Sequence, residues 1–542
     1  MSRLIVLVCF FGILCTGCEE IFHPEETSIG IIDNYNELVS AAEGVYGKLA
    51  AAINYTSNIG IGSFLFPNLY GDDINSCGAS YYTYYGNSNC SGGGTRNDFE
   101  VYVYNYLKDN LWKALYPVIV SANNIIVQYD DLSALDQQSR NVLGEIYLIR
   151  AYCIFRLTRT YGQIPLIDDI EIDFSLESAS LVEIYEFVEN DLKKARSLLP
   201  ENASLARKPY MTPHRGVAKA LLAELYLNWA GYPLKENEKY NLAAKEAGEV
   251  IDSANFFQLD LNADFAYLWD REHRLNPESL FCIYFADPAD SYNLEEINYA
   301  YLGYADNDYN YYMLLTGPES PGLRLFFFSS EVNFFNNFPA GYRKEITFFQ
   351  TIYVPNDYPY YPQIDTGFIT INAIDICNRP AYRKFYYDPV ILPYEQFNAY
   401  SLWFDYYFGD TKMYIYRFAH TLLTYAEAKA RSGQLDASAY EAVNRIRRRA
   451  NNVDQFTTSI YDLSPGLSQE AFADSVVCER AWELAGEPEG RWFDLVRLEK
   501  VADLENIRHP QEGGPPWFPF PEEEWFFPAP AEDILLNPNL EK

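Results

Sequence analysis

A chain of 542 residues with 49 % apolar content is long enough to bury a large core, and general disorder is excluded. Its formal net charge of −34 disfavours nucleic acid and other polyanions as partners. Aromatic residues reach 17 %, with 47 Tyr, and so many rigid, half-polar rings suit a wet surface that binds something.

The chain opens on MSRLIVLVCFFGILCTGCEE. Arg3 supplies a short positive start, and Leu4 to Leu14 form an apolar core of the length of a secretion signal, too short to span a bilayer comfortably. Cys15-Thr16-Gly17-Cys18 ends in the small-small-Cys pattern of a bacterial lipoprotein signal, with Cys15 standing where Leu is usual. The expectation is that residues 1–17 are a signal peptide and that Cys18 becomes the lipidated first mature residue, anchoring the chain to a membrane. Glu19, Glu20, Glu25 and Glu26 then make an acidic tether. No later stretch runs to about eighteen apolar residues, so the rest is expected to be soluble and displayed at a surface.

Residues 18–251 are expected to form a helical repeat region. Leu38, Ala42, Val45, Leu49 and Ile53 place one face on a helix over Tyr35–Ile53. From Asn54 to about Asp109 the composition changes to LYGDDINSCGASYYTYYGNSNCSGGGTRNDFEVY and its flanks, where Gly, Ser and Asn argue against regular elements. Tyr81, Tyr82, Tyr84 and Tyr85 crowd together there, and aromatics on a polar loop call for a partner surface or a ligand. Cys77 and Cys90 flank them. An oxidised pair would close a loop of about 14 residues and add roughly 3 kcal/mol on the chain-entropy account. The alternative is two unlinked buried thiols beside tyrosines that cover a core edge.

Helical spacing resumes at Leu111–Tyr129, where Asn123 and Asn124 are placed to bond across helices, and continues over residues 137–160. In that second helix Val142, Ile146, Ile149, Cys153 and Leu157 form the stripe, while Glu145, Arg150, Arg156 and Arg159 lie on or near its borders. Further helices are predicted over Leu181–Leu199, from a Thr212 cap with Pro213 in the first turn to Gly231, and over Tyr240–Ile251. Paired helices rich in Ala and Leu read as a tetratricopeptide-type array.

From residue 252 to 409 helical periodicity is sparse, and Asn, Asp, Pro and aromatics dominate. This inserted stretch is too apolar for a linker. It reads as folded loops, short helices and small strands, with a strand expected within Glu345–Tyr353. Tyr311 and Tyr312 repeat the aromatic-plus-Asn character of the early loop. Insertions on one face of an array often make its binding surface.

The closing module, residues 410–542, packs back on 18–251. Ile415, Ala419, Leu422, Leu423, Ala426 and Ala430 form one stripe, Gly433 interrupts it, and Asp436 caps a second helix with Ala439, Val443, Ile446 and Ala450 inward. Phe472, Val476, Val477, Ala481 and Leu484 give a further helix. Glu479 or Glu483 is expected to pair with Arg491 across the following turn in a structural, partly buried contact. The chain ends in an extended Pro/aromatic segment.

Catalytic signatures are missing. The five His are scattered, no HExxH or compact Cys/His array suggests a metal, and no GxSxG elbow, Walker loop or dinucleotide fingerprint occurs. Neither a cofactor nor an enzyme activity is expected. A glycoside hydrolase would need two carboxylates about 5 or 6.5–9.5 Å apart across the aromatic cleft.

The segments RFAHTLLTYAEAKARSG (Arg417–Gly433), AVNRIRRRA (Ala442–Ala450), ERAWELAGEPEGRWFDLVR (Glu479–Arg497) and FPAPAEDILLNPNL (Phe527–Leu540) resemble the SusD/RagB family of surface lipoproteins from Bacteroidetes. LWKALYPVIVSANNII (Leu111–Ile126) and RAYCIFRLTRTYGQIPL (Arg150–Leu166) extend the resemblance, which is weakest over 252–409. It implies a mainly α fold of tetratricopeptide-like repeats with an inserted irregular, loop-rich ligand-binding region. It also implies an outer-membrane lipoprotein that acts as a lid on a SusC-like TonB-dependent transporter and captures oligosaccharides, or peptides in some members. The family's aromatic arc stacks on sugar faces, and its starch-binding member uses an aromatic in the loop between its first helices. The nearest positions here are Tyr81 to Tyr85, a regional match with no Trp, joined by Tyr311 and Tyr312.

Overall fold

In the computed structural model the described residues are 30–53, 66–76, 96–129, 131–169, 175–269, 273–284, 315–316, 324–325, 328–349, 351–355, 368–372, 381–382, 384, 412–508, 522 and 525–541. Helices form where apolar residues recur at steps of three and four. The first six are α1 (Tyr35–Ile53), α2 (Arg96–Ile126), α3 (Gln137–Tyr161), α4 (Leu181–Leu198), α5 (Arg215–Trp229) and α6 (Lys239–Asp252). Two short helices follow, α7 (Val332–Asn337) and α8 (Tyr342–Thr347). The closing module supplies α9 (Phe418–Arg431), α10 (Ala437–Ala450), α11 (Gln469–Glu483), α12 (Arg491–Arg497) and α13 (Ala531–Leu536).

Each helix packs on its neighbour: α1 on α2, α2 on α3, α3 on α4, α4 on α5 and α5 on α6. The array then jumps the irregular centre, because α9 packs on α6 and α5 and carries α10 and α11 on its other sides. Two regions far apart in sequence thus build one stack of helices of tetratricopeptide type around a shared apolar core. The stripe of α3 (Val142, Ile146, Ile149, Cys153, Leu157) and that of α10 (Ala439, Val443, Ile446, Ala450) are both buried. Burial alone pushes the Cys153 thiol well above its ordinary pKa, so it is an inert core group.

Caps follow local chemistry. Asp136 accepts from Ser139 N, Ser180 and Glu183 form a capping box, and Asp436 accepts from Ser438 N and Ala439 N. Gly433, at φ +77°, ends the α9 turn in the left-handed region. The cap expected at Thr212 lies elsewhere. The chain becomes helical only at Arg215, so His214 is the residue whose side chain reaches the second helical N–H, accepting from Gly216 N at 3.2 Å. Thr212 instead accepts from Lys208 N at 3.1 Å.

Two boundaries differ from expectation for a common reason. Helix α2 starts at Arg96, well before Leu111, so the regular-element-free stretch ends earlier than predicted. Valines and tyrosines crowd Arg96–Asn110, and their weak helix propensity hides a helix that continues the α2 frame. Conversely, Ile415 belongs to a strand and not to the α9 stripe. β-Branched and aromatic residues in Lys412–Arg417 pair with Ser279–Tyr284, and both strands are buried throughout.

The irregular centre, joined by β1 and β10 from its flanking regions, forms five two-stranded antiparallel ladders among the described residues. The strands are β1 (Ile74–Ser76), β2 (Ser279–Tyr284), β3 (Leu315–Thr316), β4 (Arg324–Leu325), β5 (Phe328–Ser330), β6 (Phe348–Phe349), β7 (Thr351–Pro355), β8 (Phe368–Asn372), β9 (Ala381–Tyr382) and β10 (Lys412–Arg417). Pairing runs β1–β5, β2–β10, β3–β4, β6–β9 and β7–β8. The strand expected within Glu345–Tyr353 is split, since α8 runs to Thr347 before β6 and β7 begin.

Helices α5 and α12 meet too closely for any side chain at Gly231. A Cβ there would lie 2.6 Å from Arg497 O, and Tyr232 N donates to the same oxygen at 2.9 Å. Gly231→Ala is expected to lower the unfolding free energy by about 1–3 kcal/mol, measured by urea titration. An unchanged midpoint would show that this junction yields.

Candidate functional site

The tyrosine-bearing stretch is entered through residues 66–76, and these are held on all sides. Phe66 and Asn68 are fully buried. Phe66 meets Tyr70 edge-on at 5.7 Å and Phe527 at 4.5 Å, while Tyr70 meets Trp492 at 6.1 Å. These rings join the root to α12 and to the C-terminal segment. Polar contacts repeat the arrangement. Asn68 Nδ2 donates to Glu487 O and Pro488 O, Arg508 Nη1 donates to Gly71 O, and Arg156 Nη2 donates to Phe66 O. Arg491 grips Asp72 with two parallel bonds, Nε to Oδ1 at 2.6 Å and Nη2 to Oδ2 at 3.0 Å. Asp73 Oδ2 accepts from Gly486 N at 3.0 Å. From the centre, β5 pairs with β1, and Tyr382 OH and Glu331 N both donate to Asp73 O.

Beneath the root lies a buried ionic cluster centred on Arg417. Its guanidinium meets Glu278 at 2.8 Å, Glu483 at 2.6 Å and Glu487 at 2.9 Å. Arg449 pairs with Glu278 and Glu483, Arg343 with Glu479 at 2.7 Å and Glu483 at 2.8 Å, and Lys384 with Glu487 at 2.7 Å. Four cations thus face four carboxylates in the buried interior. Burial alone would raise the Glu483 carboxyl, but Arg449, Arg417 and Arg343 outweigh it and hold the group well below the usual carboxylate range. Burial pulls Lys384 down to about 8, against Glu487, which raises it. A general acid needs a carboxyl held above its ordinary range. Glu483 and Glu487 are both held below it by their cations, which is the chemistry of a scaffold.

The expected closure of Glu479 or Glu483 on Arg491 does not form. Both glutamates turn inward, Glu479 to Arg343 and Arg447 and Glu483 to Arg343, Arg417 and Arg449, and Arg491 instead reaches back to Asp72. Glu479 and Arg491 are therefore structural in separate contacts. Asn123 bonds across helices as expected, accepting from Arg150 Nη1 at 2.7 Å. Tyr81, Tyr82, Tyr84, Tyr85, Tyr311 and Tyr312, the lipidation candidate Cys18, and Cys77 and Cys90 all lie outside the described residues. Sequence reasoning missed Asp72, Asp73, Glu278 and Arg417. The only local signal was the Asp72-Asp73 pair just before the tyrosines.

Residues 398–542 match the model of the SusD family, and residues 67–227 match one described as starch-binding associating with outer membrane. Together the two cover more than half of the chain. A SusD-like protein P2 from Formosa agariphila is 25 % identical over 460 residues, taking in 82 % of this chain and 81 % of the relative. The crystal structure of a SusD homolog from Bacteroides thetaiotaomicron superposes with a TM-score of 0.73 at 22 % identity, covering 96 % of this chain and 98 % of that one. A laminarin-binding SusD-like protein superposes with a TM-score of 0.61 at 19 % identity, covering 93 % of this chain and 98 % of that one.

Proposed function

The chain belongs to the SusD/RagB family, and on that premise we propose that it captures oligosaccharides at the cell surface and hands them, unaltered, to a SusC-like TonB-dependent outer-membrane transporter. The observation that carries this reading is the match of residues 67–227 to a model of starch-binding, outer-membrane-associating proteins, because that span contains both the clamped root and the four tyrosines. The laminarin-binding relative of the same fold is in keeping with a glycan ligand.

In this reading Cys18 carries the lipid that holds the protein in the outer membrane, facing outward, after residues 1–17 are removed. The helices of 18–251 and 410–542 are the frame, and residues 252–409 are set into it. Tyr81, Tyr82, Tyr84, Tyr85, Tyr311 and Tyr312 offer flat faces to the apolar faces of sugar rings, with nearby Asn and Asp bonding their hydroxyls. A Cys77–Cys90 bond shapes the first tyrosine segment in advance and lowers the ordering cost of binding. Isothermal titration of the mature chain against oligosaccharide and peptide panels tests the proposal. Saturable glycan binding with the ligand recovered intact is expected. Binding of peptides alone would reassign the ligand class, and release of shortened sugars would overturn the non-catalytic reading.

A further inference from the structure

Asp73 occupies an unusual position in the root. It is 1 % exposed, its Oδ2 has one donor, Gly486 N, and its Oδ1 has no hydrogen-bond partner among the described residues. Asn68 Oδ1, in the same root, is likewise buried without a partner among them. Most charged groups near Asp73 are engaged elsewhere, although Arg491 keeps a buried Nη1 without a hydrogen-bond partner among the described residues and draws the Asp73 carboxyl down. Arg491 is held bidentately by Asp72, and Arg508 donates to Gly71 O. Glu487 is taken by Arg417 and Lys384, and Glu331 accepts from Phe334 N while its own N–H and Tyr382 OH both donate to the Asp73 backbone carbonyl. Among the described residues a carboxylate here has no counter-ion within ion-pair distance, and the neighbouring Asp72 opposes its charge. A proton on Oδ1 would turn an orphaned acceptor into a donor.

We propose that Asp73 is a positioning residue for ligand capture: uncharged, it seats residues 66–76 on the turn at 486–488, and charged, it loosens that seat. The proposal rests on the tyrosine segment beyond Ser76 being the capture surface. Burial first, then Asp72, raises the Asp73 pKa from 3.8 to about 6, against the lowering effects of Gly486 N–H, Arg491 and its own backbone N–H. The seated state therefore holds the proton more tightly than the open one. Seating is strongest below pH 3.8, weakens as pH rises through about 6 and is level above that. The frame has the opposite dependence. Burial of Glu427 is outweighed by Arg497 and Arg431, which hold it at about 2, so its contribution is lost on acidification.

Hydrogen exchange of the whole chain, corrected for intrinsic rates, distinguishes the two. Protection of peptides spanning 66–76 should fall roughly 30-fold between pH 4.5 and pH 8, against steady protection in α3. In Asp73→Asn, which keeps the shape and cannot ionise, the profile should be flat, and oligosaccharide affinity should follow protection in both proteins. A flat wild-type profile overturns the proposal, as does the same slope in the variant. Should Asp73→Asn not fold, the wild-type profile decides alone. Absence of oligosaccharide binding at every pH would count against the capture reading, while the exchange profile would still decide what Asp73 does to the root.

Discussion

Arg417→Ala is expected to lower the unfolding free energy by about 3–5 kcal/mol. The guanidinium is fully buried and bonds three carboxylates and the Glu483 carbonyl. Truncation leaves three cations, Arg449, Arg343 and Lys384, against the four buried carboxylates Glu278, Glu479, Glu483 and Glu487. Arg417→Lys should recover little, because one ammonium cannot reproduce a planar fork bonded on three sides. The exposed pair Lys113–Glu532 is the control, since its side chains are 46 % and 76 % exposed and solvent screens them. Lys113→Ala should leave the urea midpoint where it is. If Arg417→Ala behaved like Lys113→Ala, the cluster would be a by-product of folding and not one of its supports.

The contrast between those two pairs also explains what could be read in advance. The helical frame was legible because its stripes are local: Val142 to Leu157 fall on one face with no knowledge of what covers them. Buried charge is not local. Arg150, Arg156 and Arg159 sit within three turns of one helix and looked like the polar border of a stripe. Each is buried because its partner arrives from elsewhere, Asp191 from α4 and Glu489 from the turn before α12. Glu278 was hidden for the same reason, inside a stretch whose only pattern was the lack of one. The Lys412–Arg417 strand was misread because Ile415 fits a helical step by chance, and only its partner Ser279–Tyr284 reveals the pairing. The root was not legible: Asp72-Asp73 stands just before the tyrosines, but Arg491 lies 419 residues away and nothing in either segment names the other.

Replacing Tyr81, Tyr82, Tyr84 and Tyr85 together by alanine is expected to weaken oligosaccharide binding at least about 100-fold, or roughly 3 kcal/mol. The magnitude follows from what stacking supplies. An aromatic face on an apolar sugar face contributes on the order of 1 kcal/mol per ring, and several rings in one segment share the ordering cost. The frame should be indifferent, since its described core is built by α1 to α6 and α9 to α12 and by the rings Phe66, Tyr70, Trp492 and Phe527. Circular dichroism and the urea midpoint should therefore match the parent chain. Phenylalanine at the same four positions separates stacking from hydroxyl bonding: affinity should be largely retained if ring faces dominate. Tyr311→Ala with Tyr312→Ala should cost less, as two rings replace four. Full affinity in the quadruple alanine variant, with its helices intact, would move the capture surface away from this segment. The clamped root would then be a structural splice between the two halves of the helical stack.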